Sequence, residues 1–464
     1  MEGDMVNLDV TSPAATLALG LMFLKTNDVA VAGRLSIPDT QFALDYVRPD
    51  FILLRLTARS LILWDAIRPT KEWVEAQLPE LLQGALDGGD EATARARMMR
   101  GARGVRAAED DIDREALAQA HANALAGACM SLGLRYAGSA NADAAELVEH
   151  YTNVFMKLKR QVAAGSPQAP PVDRPTLETC LDVAVLALSI IMAGTGNLNT
   201  LRLLRRLRRR LDSTPGGLTY GNHMAISMAL GFLFLGGGQR TFATSNKAIA
   251  ALLIAVYPRF PTSTSDNRCH LQAFRHLYVL AAEARCVEAV DVDTWQPVYV
   301  PLSITVKEDA AHAEGSLQRT TPCLLPELSC LKEVRVCGPR YWGQSLLAGD
   351  KALSALLRCG TLYVKRKLGA LPYAEDPIGS RSLLSRAFHT RGSHTPAATV
   401  VSDGDVDKHK FEMMNAFSAD PSILGFAEHF CSDNTDFGSF CRLTHFLSPS
   451  GPCGPCGRSA QRSP

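Results

Sequence analysis

Apolar residues across positions 1–283 recur every three or four residues, the spacing of one helix face, and four segments share a finer pattern. Ala18-Leu19-Gly20-Leu21 is followed by Leu24, and Ser131-Leu132-Gly133-Leu134 by Ala137 and Gly138. Ala187-Leu188-Ser189-Ile190 precedes Ala193 and Gly194, and Ala229-Leu230-Gly231-Phe232 precedes Leu235 and Gly236. Each places a small residue in mid-helix, where glycine costs about 1 kcal/mol relative to alanine. A cost met four times at one place points to close approach of a neighbouring helix backbone. Gly20, Gly133, Ser189, Gly194, Gly231 and Gly236 are therefore the expected repeat-packing residues.

A second apolar, mostly amphipathic segment follows after a short turn, as at residues 51–64, 198–211 and 248–257. Signature helix, turn and second helix make one αα-hairpin, and stacked hairpins make a solenoid. The signature positions lie 113, 56 and 42 residues apart, and the wide first interval has room for another hairpin and a loop. Residues 84–113, rich in Gly, Ala and Arg and closing on Glu109-Asp110-Asp111, read as an insertion without fixed structure.

Beyond Glu283 the period changes from helix to strand. Val298, Val300, Leu302, Ile304 and Val306 alternate with other residues, and residues 331–337 and 361–368 read likewise, with Gly338-Pro339 and Gly369 as turns. The expected fold is mainly α. An αα-hairpin solenoid over 1–283 is followed by a small β-rich domain over 284–379 and a loop over 380–410. A short helical segment over 411–432 and a disordered tail over 433–464 complete the expectation.

Composition narrows the class. The chain has 464 residues, room for two or three domains, and 47% apolar with 20% charged residues describes a globular protein with a large core. A net charge of +1 supplies no whole-chain attraction to nucleic acid or an anionic membrane. The first residues are acidic where a secretory signal needs basic ones, so the 12 cysteines are expected as reduced thiols. Residues 183–201 and 220–239 lack Asp, Glu, Lys and Arg, but the strongly apolar run in the second is only 224–235, and three glycines end it. A buried core helix is expected there, not a membrane span.

Candidate chemistry is sparse. Cys453-Gly454-Pro455-Cys456 has the spacing of a redox dithiol, without the strand and helix that lower a thiol pKa in such sites. Cys431, Cys441 and His445 could join it around zinc, yet their separation is looser than a structural zinc pair. Arg202, Arg205, Arg206, Arg208, Arg209 and Arg210 stand above a stripe of Leu201, Leu204, Leu207 and Leu211, on the solvated side of an amphipathic helix. An acidic protein partner is the alternative to a plain solvated face, and nucleic acid a third. Gly194-Thr195-Gly196 and Gly236-Gly237-Gly238 follow no strand and lack Gly-Lys-Ser/Thr, so they read as helix-ending turns and not as phosphate loops. No catalytic residue, cofactor or metal site is expected.

The small-residue signature resembles the proteasome/cyclosome repeat, shared by the two largest non-ATPase subunits of the proteasome regulatory particle and by cyclosome subunit 1. The wording of several stretches is similar to the anaphase-promoting complex (cyclosome) subunit 1 family. They are Asn7-Leu8-Asp9-Val10-Thr11-Ser12-Pro13, Arg48-Pro49-Asp50-Phe51, Met192-Ala193-Gly194-Thr195-Gly196-Asn197-Leu198, Tyr220-Gly221-Asn222-His223-Met224-Ala225 and Asp266-Asn267-Arg268-Cys269-His270-Leu271-Gln272. The likeness covers residues 5–306 and continues more weakly to 432. It implies a partial repeat toroid and a non-catalytic scaffold in a cullin–RING-type ubiquitin ligase assembly controlling mitosis, in nucleus and cytoplasm. The partners it implies are the cullin–RING module, the tetratricopeptide subunits and the Doc-domain co-receptor, with no nucleic acid and no membrane. The alternative is a proteasome regulatory-particle repeat subunit that docks ubiquitin-like partners. The family's chain is longer at both ends, so a fragment or short form is expected, with its repeats forming an open arc.

Overall fold

The computed structural model describes residues 8–86, 113–166, 169–210, 218–266, 272–307, 315–373 and 376. Its first part runs through α1 (Leu8–Met22), α2 (Val29–Gly33), α3 (Gln41–Asp45), α4 (Pro49–Ile62) and α5 (Lys71–Glu75). It continues with α6 (Arg114–Arg135), α7 (Ala142–Ala163), α8 (Arg174–Ile191), α9 (Leu198–Arg208), α10 (Tyr220–Leu233) and α11 (Asn246–Ala255). Polar caps set the starts. Asp113, Asn141, Asp173 and Asn197 accept from first-turn N–H groups of α6, α7, α8 and α9, and Thr219 with Asn222 forms a reciprocal capping box on α10.

Side-chain pattern sorts the helices into two kinds. α6 and α8 are buried on every side over residues 120–135 and 180–191, the burial of a helix with neighbours all round. By contrast, α7 buries one stripe, Ala144, Leu147, Val148, Tyr151, Phe155 and Leu158, and α9 buries Thr200, Leu203, Leu204 and Leu207. Each fully buried Leu, Ile, Val or Phe contributes about 1.5–3 kcal/mol.

The signature helices line up in one row. α4 packs between α1 and α6, α6 between α4 and α8, and α8 between α6 and α10, while α7 covers α8 and α9 covers α10. The apolar run at 51–64, expected as the second helix of the first hairpin, thus takes a row position itself. It is buried over 52–54, 56–58 and 60–62, between two row helices, while Phe51, Arg55 and Arg59 form one partly exposed face. The row position of α4 accounts for the wide first interval of the repeat. The apolar stretch at 183–201 is divided among the second half of α8, in the core, the turn after it and the start of α9, and no helix among the described residues is long and apolar enough to cross a membrane.

The chain divides into two compact units, one of residues 1–290, 296–337 and 343–363, the other joining 291–295 and 338–342 to residues from 364 on. Within the first, β1 (Arg240–Phe242) pairs antiparallel with β2 (Ala282–Ala284), which follows a 3-10 helix at Gln272–Ala281. The β-rich part has β3 (Cys286–Asp291), β4 (Pro297–Val298), β5 (Pro301–Val306), β6 (Gly315–Thr320), β7 (Cys323–Leu324), β8 (Leu331–Val336), β9 (Ser345–Leu347) and β10 (Thr361–Val364). One sheet has the order β10-β3-β4 with β7 also on β3, and the other the order β6-β5-β8-β9. Period two is visible in β5, where Leu302, Ile304 and Val306 are buried, and in β3, where Val287 and Ala289 are. The strand expected over 361–368 is shorter, and α12 (Lys351–Cys359) precedes it, ending on left-handed Gly360 at φ 69°. In the second unit the Trp342 N–H donates to the Lys365 carbonyl at 2.9 Å, and the Arg340 guanidinium lies 5.3 Å from the Tyr373 ring centroid. The loop, helical segment and tail expected over 380–464 lie outside the described residues, as do residues 87–112 of the expected insertion.

Candidate interaction site along the turn row

Three signature helices end in the same turn. Three and five residues beyond the ends of α1, α6 and α8, the chain enters the left-handed region twice. The residues are Lys25 and Asn27 (φ 62° and 56°), Gly138 and Ala140 (62° and 53°), and Gly194 and Gly196 (77° and 61°). Their backbone N–H groups leave the turn and donate to the last two carbonyls of the next helix in the row. Lys25 and Asn27 reach Leu61 and Ile62 at 2.9 Å each. Gly138 and Ala140 reach Ile190 and Ile191 at 2.9 and 3.0 Å, and Gly194 and Gly196 reach Phe232 and Leu233 at 3.0 Å each. Helix C-termini leave their last carbonyls without intrahelical partners, and here the neighbouring turn satisfies them.

The residue between each left-handed pair is a hydroxyl. Thr26, Ser139 and Thr195 each donate at 2.8 Å to the carbonyl three residues back, at Phe23, Tyr136 and Met192. Holding a non-glycine residue left-handed costs about 1–3 kcal/mol, and Lys25, Asn27 and Ala140 accept that strain where two outgoing bonds offset it.

Side-chain packing fits the helices together one turn earlier. A Cβ on Gly20, two residues before the end of α1, would stand 2.9 Å from the Ala58 Cα of α4. At the equivalent place in α6, a Cβ on Gly133 would stand 2.7 Å from the Ala187 Cα of α8. Ser189, equivalent in α8, is fully buried, and its Oγ has no hydrogen-bond partner among the described residues. Gly231, equivalent in α10, differs from the expectation: nothing lies within 4 Å of its Cβ position, since no described row helix follows α10. Gly194 lies in the turn after α8, and a Cβ there would collide with the Arg240 carbonyl. Gly236 also lies in a turn, with the Arg240 side chain against it.

Residues 240–244 run across these turns. The Thr241 hydroxyl donates to the Ala193 carbonyl at 2.8 Å, the Phe242 carbonyl lies against Gly138, and Lys25 Nζ donates to the Thr244 carbonyl at 2.5 Å. The β-rich part holds the same segment: Arg285 donates to the Phe242 carbonyl, and the Thr244 hydroxyl to Glu327 at 2.5 Å. Between α4 and α6, Gly127 lies against the Leu53 carbonyl, where a Cβ would stand 2.8 Å from the oxygen, and side chains meet past the end of α4. The Trp64 ring has Lys25 Nζ 4.8 Å and the Arg135 guanidinium 4.9 Å from its centroid.

Buried polar groups are structural in geometry. Glu178 takes Lys159 Nζ and, at 3.0 Å, Arg210 Nη1, tying α7 and the end of α9 to α8. Arg210 therefore departs from the expected solvated row, drawn inward by a buried carboxylate 32 residues away, while Arg202, Arg205, Arg206, Arg208 and Arg209 are exposed. Burial pushes the Asp182 carboxyl up to about 8, against the opposing bond from Asn222 Nδ2 at 2.6 Å. Burial likewise pushes the Cys129 thiol up to about 12 and Cys180 upward, which keeps both protonated and weakly nucleophilic. Among the described residues no group of three His, Cys, Asp or Glu side chains could hold a metal ion. Cys431, Cys441, His445, Cys453 and Cys456 lie outside the described residues.

The row and the β-rich part coincide with two family matches. A family model described as the APC1 fifth domain matches residues 1–283, and one described as the APC1 beta sandwich domain matches residues 285–367. The human protein named anaphase-promoting complex subunit 1 is 43% identical over 440 residues, covering 94% of this chain and 21% of its own length. The Arabidopsis thaliana protein of that name is 41% identical over 451 residues, 95% of this chain and 23% of its own. A protein of Emericella nidulans named negative regulator of mitosis is 41% identical over 336 residues, 72% of this chain and 15% of its own. The chain thus spans about a fifth of the length of the first two relatives. With a family match across the whole helical row, the chain belongs to the anaphase-promoting complex subunit 1 family.

Proposed function

We propose that the chain is a non-catalytic scaffold segment of an anaphase-promoting complex, acting in nucleus and cytoplasm in the control of mitosis. The observation that carries this reading is the turn row. Six backbone bonds between helices, with a strand segment across the turns, make a stiff body whose interior is filled by its own side chains. A stiff, filled body suits holding partners at fixed distances, and the names of its relatives supply the assembly in which to do so. The partners are the cullin–RING module, the tetratricopeptide subunits and the Doc-domain co-receptor, which carry out ubiquitin transfer on their own chains.

Affinity purification of the tagged chain from dividing cells, followed by mass spectrometry, tests the proposal. Cullin–RING and tetratricopeptide subunits are the expected companions. Recovery of proteasome regulatory-particle subunits in their place, or of neither set, would overturn it.

A further inference from the structure

The charged side chains of α9 are all arginine. Arg202, Arg205, Arg206 and Arg209 follow the spacing i, i+3, i+4 and i+7, so they form one ridge about 10 Å long. The ridge runs along the side opposite the buried stripe of Thr200, Leu203, Leu204 and Leu207, and Arg208 flanks it. All five arginines are exposed.

Nothing in the described chain balances this ridge. Between Asp182 and Asp266 the sequence has nine Lys or Arg and one acidic residue, Asp212. Among the described residues none of the five arginines makes an ion pair, and Arg202 donates to Asn199 Oδ1 at 3.4 Å. The carboxylates of α8 are buried and engaged elsewhere, Glu178 with Lys159 and Arg210 and Asp182 with Asn222. Like charges three and four residues apart on a helix repel, and here the repulsion stands without offset. The other outer helix is built differently: α7 exposes Asp143 and Glu146 together with Lys157 and Arg160.

We propose that the arginine ridge of α9 is the docking site for an acidic segment of another protein, rich in Asp and Glu and lying along the helix. This deepens the scaffold reading and rests on it for the class of partner, a protein. Carboxylates remove the repulsion that the ridge carries alone, and the planar fork of arginine takes a carboxylate through two parallel N–H bonds. Nucleic acid fits less well. No aromatic residue stands among the arginines to stack a base. Outside residues 183–265 acidic residues outnumber basic ones, so a long polyanion that ran past the ridge would meet repulsion, whereas a short acidic segment would not.

Fluorescence anisotropy of a labelled oligoglutamate peptide, titrated with the purified 464-residue chain, tests this. The parent should bind, with an affinity that falls as salt rises. Arg205→Gln together with Arg209→Gln should weaken binding about three- to thirtyfold. Arg34→Gln with Arg335→Gln removes as much charge from exposed positions elsewhere and should leave binding within about twofold of the parent's. Glutamine is a good helix former and relieves the repulsion, so the α9 variant should keep the parent's circular dichroism and melt at or above its midpoint. A parent that does not bind, equal losses from the two pairs, or a short DNA duplex bound as tightly as the peptide would each overturn the proposal. The peptide is read on the purified chain without other subunits, so its failure and the failure of the affinity purification are separate results.

Discussion

Gly133 of α6 sits directly on Ala187 of α8, so close that an added Cβ would stand 2.7 Å from the alanine Cα. The helices meet backbone to backbone there, and three residues past the end of α6 the Gly138 N–H binds the Ile190 carbonyl. One contact positions the other.

Gly133→Ala should lower stability despite the better helix propensity of alanine. Overpacking against backbone costs about 1–3 kcal/mol, against about 1 kcal/mol gained. Gly231→Ala, with open space around it, should instead gain up to about 1 kcal/mol. Thermal melts in dilute solution separate the two, and a Gly133→Ala midpoint at or above the parent's would remove the packing account.

Ser189→Ala should be neutral or stabilising by up to about 1 kcal/mol. The hydroxyl is fully buried without a partner among the described residues, and removing an unsatisfied polar group relieves a desolvation penalty. Urea denaturation reads the difference, and a clear loss of stability would mean that the hydroxyl has a role that the geometry does not show.

Glu178→Ala should cost about 3 kcal/mol or more, because Lys159 and Arg210 are brought together around a carboxylate that is itself buried. The loss should exceed that from Arg202→Ala, whose side chain is exposed. Comparable losses from the two would show that the buried pairing adds nothing.

The Asp182 carboxyl gives stability a pH slope. Its folded value of about 8 lies above the ordinary aspartate value of about 3.9, so the folded chain holds its proton where the unfolded chain has released it. This contribution is full below about pH 4 and is lost as pH rises toward 8. Asp182→Asn, which stays neutral, should be more stable than the parent at pH 8, on the order of a few kcal/mol, with the gap narrowing toward pH 5. Parallel unfolding curves for parent and variant across that range would rule out the shift.

The turns show where local reading stops. Gly138, Gly194 and Asn27 are residue types that favour a left-handed turn, but Lys25 and Ala140 adopt the same backbone with no residue type to announce it. The hydroxyls Thr26, Ser139 and Thr195 each fall six residues after the signature position, a spacing that would have aligned the three turns. The sorting of Arg210 from its neighbours was out of reach, because Glu178 lies on a different helix.

The helical period, the four signatures, the change to strand period past Glu283 and the family resemblance were legible from residue types alone, because each depends on residue type at short range. What each signature position touches emerged from the folded chain. Gly133 and Gly231 stand in nearly the same local sequence, Leu132-Gly133-Leu134 and Leu230-Gly231-Phe232, yet one is pressed on a backbone and the other faces open space. The physical reason is that a helix's own residues specify its small-residue face, whereas burial of that face depends on a neighbour remote in the chain.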